Sequence, residues 1–249
     1  MVRVILAPAR TLFAILCLVL ATLILGMYVI VLVRLSPRSR HVTGVMRLWA
    51  RIFLFGTGTR VSVEGLERVA GNASYVFCGN HISNIDIPVM IGRLPVSVRF
   101  LAKKELFGVP VLGHAMRSIH MVETDRTAGP MAHREINDQV ARVVAEGLSL
   151  VIYPEGTRSR DAEMMPFKKG AFRIAIDNAM PMVPVTITGS EKVWKPGSKL
   201  ILGGRVRLVI HDPIPTAGLT QTDIVDLRDR VRAVVEQKYQ ALIDAAYEE

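Results

Sequence analysis

A histidine and an aspartate stand five positions apart in NHISNID, residues 80–86, directly after the short apolar run SYVFCG. An imidazole takes up a proton near neutral pH. A carboxylate beside it can hold the proton of one ring nitrogen and leave the other free to accept. That pairing is the chemistry of a general base. On a continuous helix a separation of five would set His81 and Asp86 about 140° apart around the axis, so the pair needs a loop that leads into a helix. The stretch also has a plainer reading. Ser83-Asn84-Ile85-Asp86 matches a capping box, and Asp86 could itself cap a helix with Pro88 in its first turn.

Further candidates come later in the chain. YPEGTRS, residues 153–159, follows an apolar run and carries Glu155, Gly156, Thr157 and Arg158. A glycine lets backbone approach a ligand, and a guanidinium can grip a phosphate at two points. Out of context the same residues would make a surface turn with a local salt bridge. Arg126 follows a short apolar run in MVETDRTAG, and MPMVPVTI (180–187) is centred on Pro184. Lys103, Lys168 and Lys169 add cations near expected helix starts, where anions are favoured.

The elements that must position these residues alternate between strand and helix. SYVFCG (74–79), LSLVIYP (148–154) and MVPVTITG (182–189) read as buried strands, and GTGTRVSVEGLE supplies a turn and a first strand. Ile136, Val140, Val143 and Val144 share one face of a helix over 131–147 that Gly147 ends. Helices are also expected in the second half of 105–119, over 166–179 and over 222–247. KLILGGRVRLVIHD (199–212) reads as a hairpin turning at Gly203-Gly204. A strand that ends at Asn80 places His81 at its carboxyl end, where α/β folds gather their sites. The whole indicates one α/β domain with a mixed sheet flanked by helices.

Ahead of that domain, residues 11–33 contain no charged residue. As a helix they would run roughly 34 Å, against a hydrocarbon core of about 30 Å. A cleaved signal peptide needs a shorter apolar stretch and a small-x-small site, whereas RLSPRSR follows here. VMRLWARIFLF (45–55) sets Arg47 and Arg51 one turn apart beside Trp49, as an interfacial helix would, although an ordinary core helix shows the same periodicity. Residues 1–56 are therefore expected to anchor the chain to a membrane as a helix pair, and 57–249 to form the catalytic domain. Residues 1–60 hold eight arginines and no acidic residue; removing them from the 31 basic residues leaves 23 against 22 acidic ones. The pI near 9.9 thus comes from the membrane-proximal segment and not from a nucleic-acid surface. Five of the eight lie between Arg34 and Arg51, which points to the cytoplasmic face of an inner membrane. Cys17 and Cys78 stand far apart in apolar surroundings, so neither a disulfide framework nor a metal cluster is expected.

In their order along the chain these blocks resemble the glycerolipid acyltransferase family, over roughly residues 78–187. His81 and Asp86, preceded by Asn80, match its H-x4-D block; Glu155 to Arg158 match E-G-T-R intact; Val183 to Val185 match V-P-V. The stretches around Lys103 and from Phe167 to Gly170 are similar to segments beside those blocks. The second block departs, because either Met121–Thr124 stands there without an arginine or Glu123–Arg126 stands there without the apolar pair; the reading adopted takes Arg126. The resemblance implies that His81 is a general base steadied by Asp86. It implies that Lys103, Arg126 and Arg158 hold the phosphate of a lysophospholipid acceptor, lysophosphatidic acid, beside Glu155, Gly156 and Thr157. It also implies an acyl-CoA or acyl-carrier-protein donor, and neither cofactor nor metal. Other readings are the same chemistry on a lyso-aminolipid such as lyso-ornithine lipid or on glycerol-3-phosphate, a non-catalytic lipid-binding protein, and a hydrolase using His81, Asp86 and Glu155 as metal ligands.

Overall fold

The computed structural model describes residues 5–37, 39–70, 73–125, 131–159 and 163–247. Two helices come first, α1 (Ala7–Leu35) and α2 (His41–Gly56), followed by β1 (Thr59–Glu64) and β2 (Val76–Gly79). Then come α3 (Asp86–Arg93), β3 (Val98–Lys103), α4 (Leu112–Ser118), β4 (Val122–Thr124), α5 (Met131–Ala145) and β5 (Ser149–Ile152). The chain continues through α6 (Gly170–Asp177), β6 (Met182–Thr188), the single turn α7 (Ser190–Val193), β7 (Gly204–Ile210) and α8 (Ile224–Tyr247).

The strands form one seven-stranded mixed sheet in the order β1-β7-β6-β2-β5-β3-β4. All neighbours pair in parallel except β6 and β7. Both faces of its centre are covered, which is why β2 and β5 read as unbroken apolar runs. Alternation along β2 sends Phe77 to the side of α2 and α3, where Ile85, Val89 and Met90 are fully buried. Val76 and Cys78 face the other side, against Leu150, Phe172 and Leu227. The α5 face expected from periodicity is the buried one, since Val140 and Val143 lie fully inside.

The expected hairpin over 199–212 does not form. Only Gly204–Ile210 is a strand, paired in parallel with β1 and antiparallel with β6. The preceding residues are occupied elsewhere: Leu202 N donates to Val193 O at 2.8 Å, and Ile201 N donates to Thr11 Oγ1 at 2.9 Å on α1.

α1 is the one helix among the described residues long and apolar enough to cross a membrane, and only 22% of its most apolar window is buried. Leu12, Ile24 and Leu35 are among its exposed side chains. α2 packs as a helix of the domain core does. Met46, Ala50, Phe53 and Leu54 pack into the domain core, whereas Phe55 is 74% exposed. α1 is fastened to the domain at its first turn and again past its middle. Arg10 Nη1 donates to Leu202 O at the first turn, and at Gly26 an added Cβ would meet Val111 and Ala115.

Candidate active site

The site is built where β2 ends. A Cβ on Gly79 would lie 2.1 Å from Val185 O, so only glycine lets β2 run this close to β6. Asn80 then substitutes its side chain for the ladder: Nδ2 donates to Ile187 O at 2.8 Å and Oδ1 accepts from Ile187 N at 2.9 Å. The strand stops there and the chain turns outward at His81.

His81 is held from several directions. Its backbone N donates to Glu155 Oε1 at 2.8 Å, and its carbonyl accepts from Ser159 N at 2.9 Å. The ring stacks on Tyr153, with centroids 4.0 Å apart and planes 10° from parallel. Nδ1 lies 2.7 Å from Asp86 Oδ2. Asp86 is fully buried. Its Oδ2 also accepts from Ile82 N at 2.9 Å and Ser83 N at 2.8 Å, and its Oδ1 accepts from Ser190 Oγ at 2.6 Å. With every neighbour donating, the carboxylate acts purely as acceptor, so Nδ1 carries the imidazole's proton. The lone pair is left on Nε2. This is the arrangement of a general base with an oriented ring.

Residues 83–86 make the capping contacts as well: Ser83 N donates to Asp86 Oδ2 at 2.8 Å and Ile85 N donates to Ser83 Oγ at 3.2 Å, so cap and dyad share one carboxylate. Asp86, the first residue of α3, folds back onto its own loop, and Ser83 Oγ donates to Trp194 O at 2.7 Å. A loop entering a helix thus achieves what a continuous helix could not.

The E-G-T-R turn lies against this loop. Glu155 is 2% exposed, and its second oxygen accepts from Met165 N at 3.2 Å. Burial pushes its carboxyl up to about 7, against the lowering effect of the two N–H donors. Glu155 therefore binds the backbone of the histidine loop to the segment before α6. Gly156 has φ +75°, and a Cβ there would come within 2.9 Å of Lys168 Nζ. A side chain at this position would be strained and would displace a cation from the site.

A cavity of about 920 Å³ opens at His81. Lys103, Thr157, Arg158 and Lys168 line its polar end. Its other walls are apolar, formed by Met46, Ile91, Phe100 and Ile119, and reach Leu25, Val29 and Trp49 on the first two helices. Arg158 is exposed and has no bonding partner among the described residues, whereas Lys103 Nζ pairs with Glu105 at 2.8 Å. The structure thus brings His81, Asp86, Lys103, Glu155, Gly156, Thr157 and Arg158 together. Arg126 lies outside the described residues. Two contributors were not picked out from the sequence as parts of the dyad: Ser190, which holds the second oxygen of Asp86, and Tyr153, which backs the imidazole. The only trace of Ser190 in the sequence is its place just after a buried strand and Gly189.

Comparison with known proteins gives a consistent result. A family model described as Acyltransferase matches residues 60–188. A chloroplastic 1-acyl-sn-glycerol-3-phosphate acyltransferase of Brassica napus is 36% identical over 172 residues, covering 68% of this chain and 49% of that one. The chain thus spans about half the length of that relative. Human 1-acyl-sn-glycerol-3-phosphate acyltransferase alpha is 29% identical over 199 residues, covering 79% of this chain and 70% of that protein. The crystal structure of the 1-acyl-sn-glycerophosphate acyltransferase PlsC from Thermotoga maritima superimposes with a TM-score of 0.83 at 26% identity, covering 96% of this chain and 97% of that one.

Proposed function

The chain belongs to the acyltransferase family, and from that premise we propose that it is an O-acyltransferase that acylates the free hydroxyl of lysophosphatidic acid, giving phosphatidic acid for phospholipid synthesis. The observation that carries the reading is an imidazole held by a buried carboxylate, His81 on Asp86, opening into an apolar cavity whose polar end is cationic. Nε2 of His81 takes the proton of the acceptor hydroxyl as that oxygen attacks the carbonyl carbon of an acyl thioester. A C–O bond forms, the C–S bond breaks, and the imidazolium returns its proton to the leaving thiolate. Asp86 keeps the ring in place and stabilises the imidazolium while it exists. Arg158, Lys103 and Arg126 hold the phosphate of the acceptor. Glu155, Gly156 and Thr157 shape that pocket. The donor is acyl-CoA or an acyl carrier protein, as co-substrate; the dyad chemistry calls on no cofactor.

The apolar walls favour acceptors or donors with a long chain, since about 920 Å³ sits near the top of the ~300–1,000 Å³ range of small-molecule sites. We place the protein on the cytoplasmic face of an inner membrane, with residues 1–56 as the anchoring helix pair and 57–249 as the catalytic domain. The attachments at Thr11 and Gly26 lie fifteen residues apart, roughly 22 Å along α1. A helix perpendicular to the bilayer would draw those parts of the domain to different depths, so α1 lies along the membrane surface with its exposed apolar side chains inserted. The test is an acyl-transfer assay on the purified full chain, crossing both donor types with lysophosphatidic acid, a lyso-aminolipid and glycerol-3-phosphate. Turnover on lysophosphatidic acid above the other acceptors is expected; turnover confined to another acceptor overturns the substrate assignment.

A further inference from the structure

A second cationic pocket lies at the β1-β7 edge of the sheet, and nothing in the acyl-transfer chemistry uses it. It has a volume of about 260 Å³ and is lined by Arg10, Gly58, Arg60, Leu202, Gly203 and Arg205. Arg60 on β1 and Arg205 on β7 are register partners on parallel strands, so two guanidinium groups lie side by side on one exposed face. Like charges so placed repel. Among the described residues neither arginine has a bonding partner, and no carboxylate lines the pocket. Arg10 is set beside them deliberately: its guanidinium lies against Gly58 at φ +65° and Gly203 at φ +69°, where side chains would crowd it. Three arginines with no carboxylate lining their pocket among the described residues suit an anion.

The surroundings say which anion. Arg10 belongs to the first turn of α1, the apolar helix, and Gly58 follows α2 directly. Phe13 and Phe55, 47% and 74% exposed, meet edge to face at 6.1 Å beside the pocket. The pocket therefore borders an apolar surface at the depth where headgroup phosphates reside, and forked guanidinium groups match a phosphate diester. It also shares the dyad's end of the sheet. A Cβ on Gly189 would meet Arg205 O, and the next residue, Ser190, bonds Asp86. From β2 to β7 and β1 is two to three strand spacings, roughly 10–14 Å.

We propose that Arg10, Arg60 and Arg205 form a binding site for the phosphate of an anionic membrane phospholipid, distinct from the acceptor's phosphate site, which fixes the tilt of the chain on the bilayer. The inference rests on the membrane seating proposed above, but not on the acyl-transfer chemistry. The test compares the full-length wild type with the double variant R60Q/R205Q, leaving Arg10 in place because its bond to Leu202 O holds α1. Binding is measured by flotation with phosphatidylcholine vesicles and with vesicles that also contain phosphatidylglycerol. The wild type is expected to prefer the anionic vesicles, and the double variant to lose roughly thirtyfold of that preference, about fivefold per arginine. Binding to neutral vesicles should be unchanged, and melting in detergent unchanged or raised, since a repulsion has been removed. R207Q, one pleat further along the same face of β7, should keep the preference.

Equal loss in R207Q would show diffuse surface charge and overturn the pocket. A lowered melting temperature in the double variant with the preference intact would make the arginines structural and overturn it too. Competition by inorganic phosphate against the anionic vesicles would identify a free anion and overturn the lipid source. Failure of the wild type to bind neutral vesicles would instead defeat the membrane seating.

Discussion

Ser190→Ala probes the part of the dyad that lies outside every sequence block. Ser190 Oγ donates to Asp86 Oδ1 at 2.6 Å in a fully buried setting, with the other carboxylate oxygen already shared among His81 Nδ1 and two backbone N–H groups. Removing the hydroxyl leaves one oxygen of a buried carboxylate without its donor. A hydrogen bond to a charged group contributes about 1.5–3 kcal/mol. That contribution is felt when the imidazolium forms, because Asp86 then carries the pairing alone. At about 1.4 kcal/mol per tenfold in rate, the loss in kcat is roughly 10–150-fold. The apparent KM for lysophosphatidic acid should change little, since Arg158 and Lys103 lie at the cavity's polar end and not behind the carboxylate. The assay is steady-state acyl transfer by the purified variant, beside a melting curve showing it folded. A folded variant with wild-type kcat would refute the reasoning, and so would a loss confined to KM.

Arg158→Ala should raise the apparent KM for lysophosphatidic acid at least tenfold, as a charge-assisted phosphate contact is lost, with kcat nearly kept; an unchanged KM counts against its role. Gly156→Ala forces a φ of +75° on a residue with a Cβ, and crowds Lys168 Nζ. Its activity should fall about tenfold or more, at ~1–3 kcal/mol of strain, with the fall read in the same assay. Glu155 has its carboxyl raised to about 7 in the fold, so the protonated form favours the folded state. Its contribution to stability is full at low pH and is lost as pH rises from the ordinary carboxylate range through about 7. Denaturant titrations across that window should show the wild type losing stability relative to Glu155→Gln as pH rises. His211, buried and lowered to about 4, acts in the opposite direction in both proteins and cancels in the difference.

Much of this molecule is legible in its sequence, for particular reasons. β2 and β5 are buried on both faces, so their apolar runs mark them without ambiguity. The α5 stripe is equally direct, because one face packs and the other meets solvent. The dyad could be suspected from NHISNID, yet periodicity alone could not separate a base and its partner from a helix cap. In the fold the segment is both: Ser83 N caps onto Asp86, and the same carboxylate oxygen meets His81 Nδ1. The hairpin reading of 199–212 fails because α1 claims the carbonyl of Leu202 and the amide of Ile201. That competition comes from a segment nearly two hundred residues away, and local turn chemistry cannot register it. Ser190 is hidden for the same reason: its meaning depends on β6 delivering it to a carboxylate 104 positions earlier. Tyr153 was visible only as an aromatic before a proline, and its stacking on His81 depends on β2 and β5 lying side by side.

The most direct measurement is acyl transfer by His81→Ala, purified in full length and shown by its melting curve to be folded. General base catalysis supplies about 10²–10⁴-fold in rate, so turnover on lysophosphatidic acid is expected to fall at least ~10²-fold with the protein's membrane binding intact. Wild-type turnover from that folded variant would contradict the account.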